Sequence, residues 1–446
     1  MTAAQSWAEA FRERAPSLAG AGLPWLAETR RRALERFVAE GWPSTRNDAW
    51  RHTSLLVLEH EQFSVPEAGA AERGAAGLEA LVRGLREGDD GHWMVFVDGR
   101  YAPALSAPAR LPSGAEVLSL AEVLETAPER VEPHFGAPED GYSPTALNTA
   151  FAADGAFVHL KRGVVVEAPI HLVFVAATER AANHVRNLIV AEAGAQGTVV
   201  EHHVKVHDEP ALSNIVTRVD CADDARVTHL KLQQESERAV HLAHIDARQA
   251  RGSMFASHSL SFGARLARND IVTRFDGTGC ETLLNGLFHV DGKRHVDHHT
   301  RIEHAQPNGT SREFYRGILD EAGRGVFAGR IIVAPHAVRT DAVQRTDNLL
   351  LSRQAEADAR PELEIYADDV KCAHGATVGR IDETALFYLR SRGIDEERAR
   401  NLLTWAFAAE ALARIGVESL QRRARGALLA RLPGGTALDR ALEELQ

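Results

Sequence analysis

From about residue 148 to residue 370 the sequence offers short β-rich runs one after another, with no long amphipathic helix between them. Among them are residues 163–166, 170–175, 198–204, 215–219, 227–232, 240–245, 255–261, 282–288 and 329–333. Their centres recur roughly every 13–15 residues, a spacing that suits one unit repeated along an axis. Intervals this short leave no room for the crossover helices of a doubly wound sheet, so a parallel β-helix or a large antiparallel sandwich remains. A sandwich would place Asn-Gly or Asp-Gly hairpins between adjacent runs. Asp276-Gly277 and Asp291-Gly292 are present, but most gaps lack such a pair, which favours stacked coils.

The flanks read differently. Residues 28–40 place Ala33, Leu34, Phe37 and Val38 on one helical stripe before Gly41-Trp42-Pro43-Ser44 breaks it. Met94 to Val97 before Asp98-Gly99 suggests a short buried strand and a tight turn. Residues 382–392 predict a helix with Gly393 as its left-handed cap, and Asp395 opens another through Leu402, Leu403, Ala406 and Phe407. Three regions are therefore expected: a helical and mixed one over 1–135, the β-rich core over 136–376 and a helical one over 377–446.

Composition narrows the function. Of 446 residues, 62 are acidic and 51 basic, for a net charge of −11. That balance argues against a protein whose task is to neutralise phosphate backbones, so no nucleic-acid partner is expected. Three scattered cysteines, Cys221, Cys280 and Cys372, do not make a disulfide framework. Glu9 and Arg12 interrupt what a signal peptide would keep apolar, and no apolar run approaches the ~20 residues that span a bilayer. A soluble protein of the reducing cytoplasm is expected, with no membrane partner.

Ordinary catalytic signatures are missing. The nearest approach to a phosphate-binding loop, Gly286 through Gly292-Lys293-Arg294, has five intervening residues and Arg where the hydroxyl belongs. No Gly-x-Ser-x-Gly elbow and no Cys-x-x-Cys pair occurs. His295, Asp297 and His299 would share one face of a strand, as metal ligands or as part of a polar outer surface. His202-His203 and His207 carry less, because neighbouring strand residues point to opposite faces. Cys372-Ala373-His374 is sharper. In an extended segment both side chains face one way, so a thiolate and an imidazole reach one zinc or iron–sulfur centre. The bland readings are a small buried hydrophobe and a hydrogen-bonded imidazole. Two ligands do not complete a site, and the others must come from elsewhere in the chain or from a partner.

Residues 348–394, NLLLSRQAEADARPELEIYADDVKCAHGATVGRIDETALFYLRSRGI, resemble the signature of the SufB/SufD family of iron–sulfur cluster assembly proteins. Gly41-Trp-Pro-Ser, Trp50-Arg-His-Thr, Val97-Asp-Gly-Arg, residues 147–155, residues 186–190 and Phe327-Ala-Gly-Arg330 extend the resemblance over most of the chain. Cys372-x-His374-Gly375 is the version of the SufD side. SufB-like members carry Cys where this chain has Thr346, and Glu where it has Gly375. The resemblance implies a right-handed parallel β-helix flanked by N-terminal and C-terminal helical regions. It implies a non-catalytic scaffold, not an enzyme, that pairs with a SufB-like subunit through the β-helix and docks a SufC-like ATPase through its C-terminal helices. His374, with Cys372 beside it, would face the partner's cysteine and share a transient iron–sulfur cluster or iron, none of it tightly bound to the isolated chain. A homodimeric, SufB-like scaffold holding iron or cluster by itself is the first alternative, and the chain is a possible homodimer when alone. A polysaccharide-cleaving β-helix enzyme is the second, although no carboxylate cluster of that kind is evident.

Overall fold

A computed structural model describes residues 3–66, 75–137 and 139–435. The β-rich stretch is a solenoid of about eight turns. Successive strands alternate between two sheets, so each full coil consumes two of the spacings visible in the sequence. One sheet has ten strands and ends on Val370–Gly379; the other has nine and ends on Glu356–Ile365. Pairing between successive coils is parallel and in register, as in Gly286 beside Tyr315 and Gln344 beside His374. The sandwich alternative is thereby excluded, since its ladders would run antiparallel.

The first coil is built differently. His92–Val97 pairs in parallel with Ile170–Ala176, but Arg100–Tyr101 folds back antiparallel onto it. Asp98 makes that turn at φ 49° and accepts the backbone N–H groups of Ala177 and Thr178, at 2.8 and 3.1 Å. On the other sheet Ala115–Ser119 likewise runs antiparallel to Ala156–Leu160.

Alternation sorts each strand into a face toward the lumen and a face toward the flanking helices. Ile215, Val219, Ile245, Phe255, Ile271, Leu284, Ile302 and Ile331 fill the lumen in one cluster. Outward, Leu212, Val240, Leu242 and Leu266 meet Trp7, Phe37, Trp42, Trp50 and Phe151 of the N-terminal region. Leu230, Leu232, Leu260, Leu287, Phe314 and Ile318 meet Ala408, Leu412, Leu420 and Leu428 of helices Glu396–Leu412 and Glu418–Leu429, and Ile415 of the turn between them. Each buried leucine contributes about 1.5–3 kcal/mol, so both helical flanks are fixed to the solenoid.

The expected helices form, with bounds that follow their caps. Pro24–Glu40 stops at Gly41, φ 64°. Glu383–Ser391 is capped by Asp382, and Asp395 caps the helix after Gly393. Among the described residues no helix is long and apolar enough to cross a membrane.

Candidate functional site

Val370–Gly379 is the last strand of its sheet, and only Thr340–Leu350 pairs with it among the described residues. Register places Cys372 on Ala342 and His374 on Gln344. Ala342 belongs to the lumenal core, and Val370 and Cys372 pack against that core. By alternation His374 shares their face, toward the mouth of the solenoid. Among the described residues no further coil covers it. Cys372 is therefore half-buried and His374 exposed. Along the strand the two Cα atoms stand roughly 6.6 Å apart, a span that two ligands of one multi-atom cluster can bridge.

Burial pushes the Cys372 thiol up, and the Asp341 carboxylate adds to the effect. The raised pKa keeps the thiol in its protonated form at neutral pH. Directly beneath His374, the Gln344 amide donates to the Glu313 carboxylate at 2.5 Å. Gly329 makes room for that amide, since any Cβ there would collide with it. Thr346, at the position where SufB-like members carry Cys, is fully buried beneath Ala376. It has a hydroxyl with no hydrogen-bond partner among the described residues. Around the mouth stand Tyr366, 62% exposed, Val378, 50%, and Ile365, 41%. All three fall within the 348–394 signature, but only the strand order reveals that they border an edge left unpaired among the described residues.

The structure thus brings Cys372 and His374 onto one accessible face and places the other candidates elsewhere. His295, Asp297 and His299 do share an outward face, but among the described residues they form no three-ligand metal group, and only His295 and His299 are partly open to solvent. The N-terminal segment covers it, with the Thr53 hydroxyl on Asp297 and 2.8 Å from His295. Arg268 bonds Asp297 at 2.8 Å and Asp270 at 2.8 and 2.9 Å, and its guanidinium lies 3.7 Å over the Trp50 ring. His299 lies 3.1 Å from Asp297. The segment's Trp50-Arg-His-Thr motif is therefore a docking tongue. His207 is spent on the Ala177 carbonyl at 2.7 Å, and His202, turned outward, lies 3.0 Å from His171.

Other motif residues are architectural as well. Arg186 is fully buried and donates to the Phe135 carbonyl, Asn148 and Thr149. Asn148 bridges the carbonyls of Val185 and Asn214. Gly155, at φ 153°, lies so close to the Arg186 carbonyl that a Cβ would sit 2.0 Å from it. Residues 147–155 and 186–187 thereby lock the helix Ser143–Phe151 to the first coils.

Comparison with known proteins agrees with this architecture. Residues 174–407 match the model of the SUF system FeS cluster assembly SufBD core domain, and residues 1–172 match the SufBD protein N-terminal region. The iron–sulfur cluster assembly protein SufD of Escherichia coli is 35% identical, over 90% of this chain and 92% of its own length. An iron–sulfur cluster assembly SufBD family protein of Synechocystis is 32% identical over 86% of each, and the SufD of Bacillus subtilis 28% identical over 90% and 92%. With family models matched over residues 1–172 and 174–407 and a relative 35% identical over 90% of its length, this chain belongs to the SufBD family of the SUF iron–sulfur cluster assembly system.

Proposed function

We propose that this chain is a non-catalytic scaffold subunit of the SUF assembly complex. It pairs with a SufB-like subunit through the open end of its solenoid and offers Cys372 and His374 as half of a binding site for a nascent cluster. One observation carries the reading. The thiol and imidazole stand side by side on a terminal strand whose outer edge pairs with nothing among the described residues. An unpaired strand edge recruits another chain through its free N–H and C=O groups. A partner docked there brings its own ligands against this pair, and thiolate with imidazole suits iron and iron–sulfur chemistry. The SufC-like ATPase docks, on this proposal, through the C-terminal helices, and its nucleotide-driven movement opens or closes the shared site.

The test is His374→Ala in the complex reconstituted with the SufB-like and ATPase subunits. His374 is exposed and its side chain makes no hydrogen bond among the described residues, so size-exclusion profiles and melting are expected to stay as in the wild type. Cluster yield, read by visible absorbance with iron and sulfide analysis, is expected to fall at least about tenfold, as for loss of a metal ligand. Unchanged yield refutes the ligand role. Stoichiometric cluster on the isolated chain, together with a dimeric mass, would instead favour a homodimeric scaffold joined through the same edge.

A further inference from the structure

The solenoid's lumen is polar along one wall. Val199 lies in the lumenal core, so alternation turns Glu201 and His203 inward on the same strand, Gln196–Lys205. Ala243 and Ile245 likewise place His241 inward on Val240–Gln249. Glu235 sits in the turn that precedes that strand. Each of His203, Glu235 and His241 offers one ligand atom within 4.8 Å of the others. All three are sealed from solvent: His203 is 1% exposed, His241 0% and Glu235 6%.

Their unused atoms point to a guest. His203 spends Nε2 on Glu201 at 3.0 Å, and its Nδ1 has no hydrogen-bond partner among the described residues. Neither ring nitrogen of His241 makes a hydrogen bond with well-formed geometry among the described residues, although Nδ1 lies 2.8 Å from Glu235. Buried polar atoms are paired in the great majority of cases, and a ring nitrogen left over in a sealed space wants an explanation. The surroundings are built to hold the three in place. Ser213 donates to one Glu235 oxygen at 2.5 Å and Gln233 to the other at 2.9 Å. Gly263 packs so tightly on the Glu235 backbone that a Cβ would sit 2.5 Å from its nitrogen. Glu201 accepts from Thr217 and Asn187 while it orients His203, the carboxylate–histidine arrangement that commonly stands behind metal ligands.

We propose that His203, Glu235 and His241 hold one divalent transition-metal ion inside the solenoid, of the borderline type, zinc or ferrous iron, that two imidazoles and a carboxylate select. Around such an ion N and O ligands at about 2.0–2.2 Å stand roughly 3.4 Å apart, so the side chains need to close by about 1 Å. Charge agrees, because two buried carboxylates, Glu201 and Glu235, lie near one ammonium, that of Lys231, and an ion offsets the excess. The ion would tie the turn at Glu235 to a strand of each sheet. It is separate from the end-face pair and independent of the reading given to that pair.

The experiment refolds the full, untagged chain from denaturant with zinc, or anaerobically with ferrous iron, then dialyses it against EDTA and counts metal by mass spectrometry. The sealed site is expected to retain about one ion per chain. A cobalt(II) sample reports ligand type and geometry by its visible bands, and comparison of the zinc and iron arms identifies the preferred ion. Cys372→Ser with His374→Ala keeps the ion. His241→Gln and Glu235→Gln lose it, and Glu201→Gln weakens it by about 10- to 100-fold. Correctly folded wild type that retains neither metal overturns the proposal, whatever the variants do. So does an ion that survives in His241→Gln and Glu235→Gln but disappears with the end-face pair.

Discussion

Glu313 is a carboxyl group shut in the lumen beneath His374, and burial pushes its pKa from an ordinary 4.5 up to about 7. Between those values the unfolded chain releases the proton while the folded chain keeps it, so stability falls as pH rises through the window and levels off above it. Glu313→Gln keeps the shape and a neutral partner for Gln344 and removes that slope. Denaturation midpoints of wild type and variant are expected to coincide near pH 4.5 and to separate by up to about 3 kcal/mol in favour of the variant above pH 7. Equal slopes would mean Glu313 ionises normally. At this scale the sequence was legible only in part. Cys372 and His374 announce a shared face by their spacing alone. His295, Asp297 and His299 announce one equally well, yet spacing is silent about what covers a face, and here Thr53 and Arg268 cover it. The His203, Glu235 and His241 group is invisible in sequence because its members come from two sheets and a turn.

The coil is the repeating element, and it tolerates little change in side-chain volume where neighbouring coils touch. Gly286 lies under the Tyr315 ring of the next coil, and a Cβ added there would meet Cδ1 at 2.2 Å. Gly286→Ala therefore forces the buried Tyr315 ring out of place and is expected to destabilise by about 1–3 kcal/mol, read from urea denaturation. A cost near zero would mean the stack is loosely packed. The strand recurrence that betrayed the solenoid was legible because the strands are short, apolar on at least one face and separated by brief polar turns. Its twofold composition was hidden, since both sheets use the same kind of strand. The scarcity of Asn-Gly turns also has a physical cause. Most turns here join strands of different sheets, and Asp224, Asn308 and Glu321 take left-handed backbone angles in them without forming hairpins.

In the whole molecule the helical flanks act as walls. Removing the chain after Gly393 would bare Leu230, Leu232, Leu260, Leu287, Phe314 and Ile318, so truncation cannot separate docking from folding. Point changes on the exposed side can. Phe387 is 72% exposed and Tyr388 54%, on the helix that follows the terminal strand. Phe387→Ser with Tyr388→Ser is expected to leave melting unchanged and to reduce retention of a SufC-like ATPase in a pull-down by about tenfold or more, the effect of losing an aromatic anchor. Undiminished retention places the docking surface elsewhere on the chain.

The two ends of the stack are not alike. At its beginning the ladders are turned back on themselves by Arg100–Tyr101 and Ala115–Ser119, while at its far end both sheets simply stop. On the proposed pairing, a rod with one adhesive tip cannot string itself head to tail into a fibre; growth halts once two tips have met. That pairing therefore sets a stoichiometric limit of two, and whichever chain occupies the second place, an assembly joined through that tip is finite.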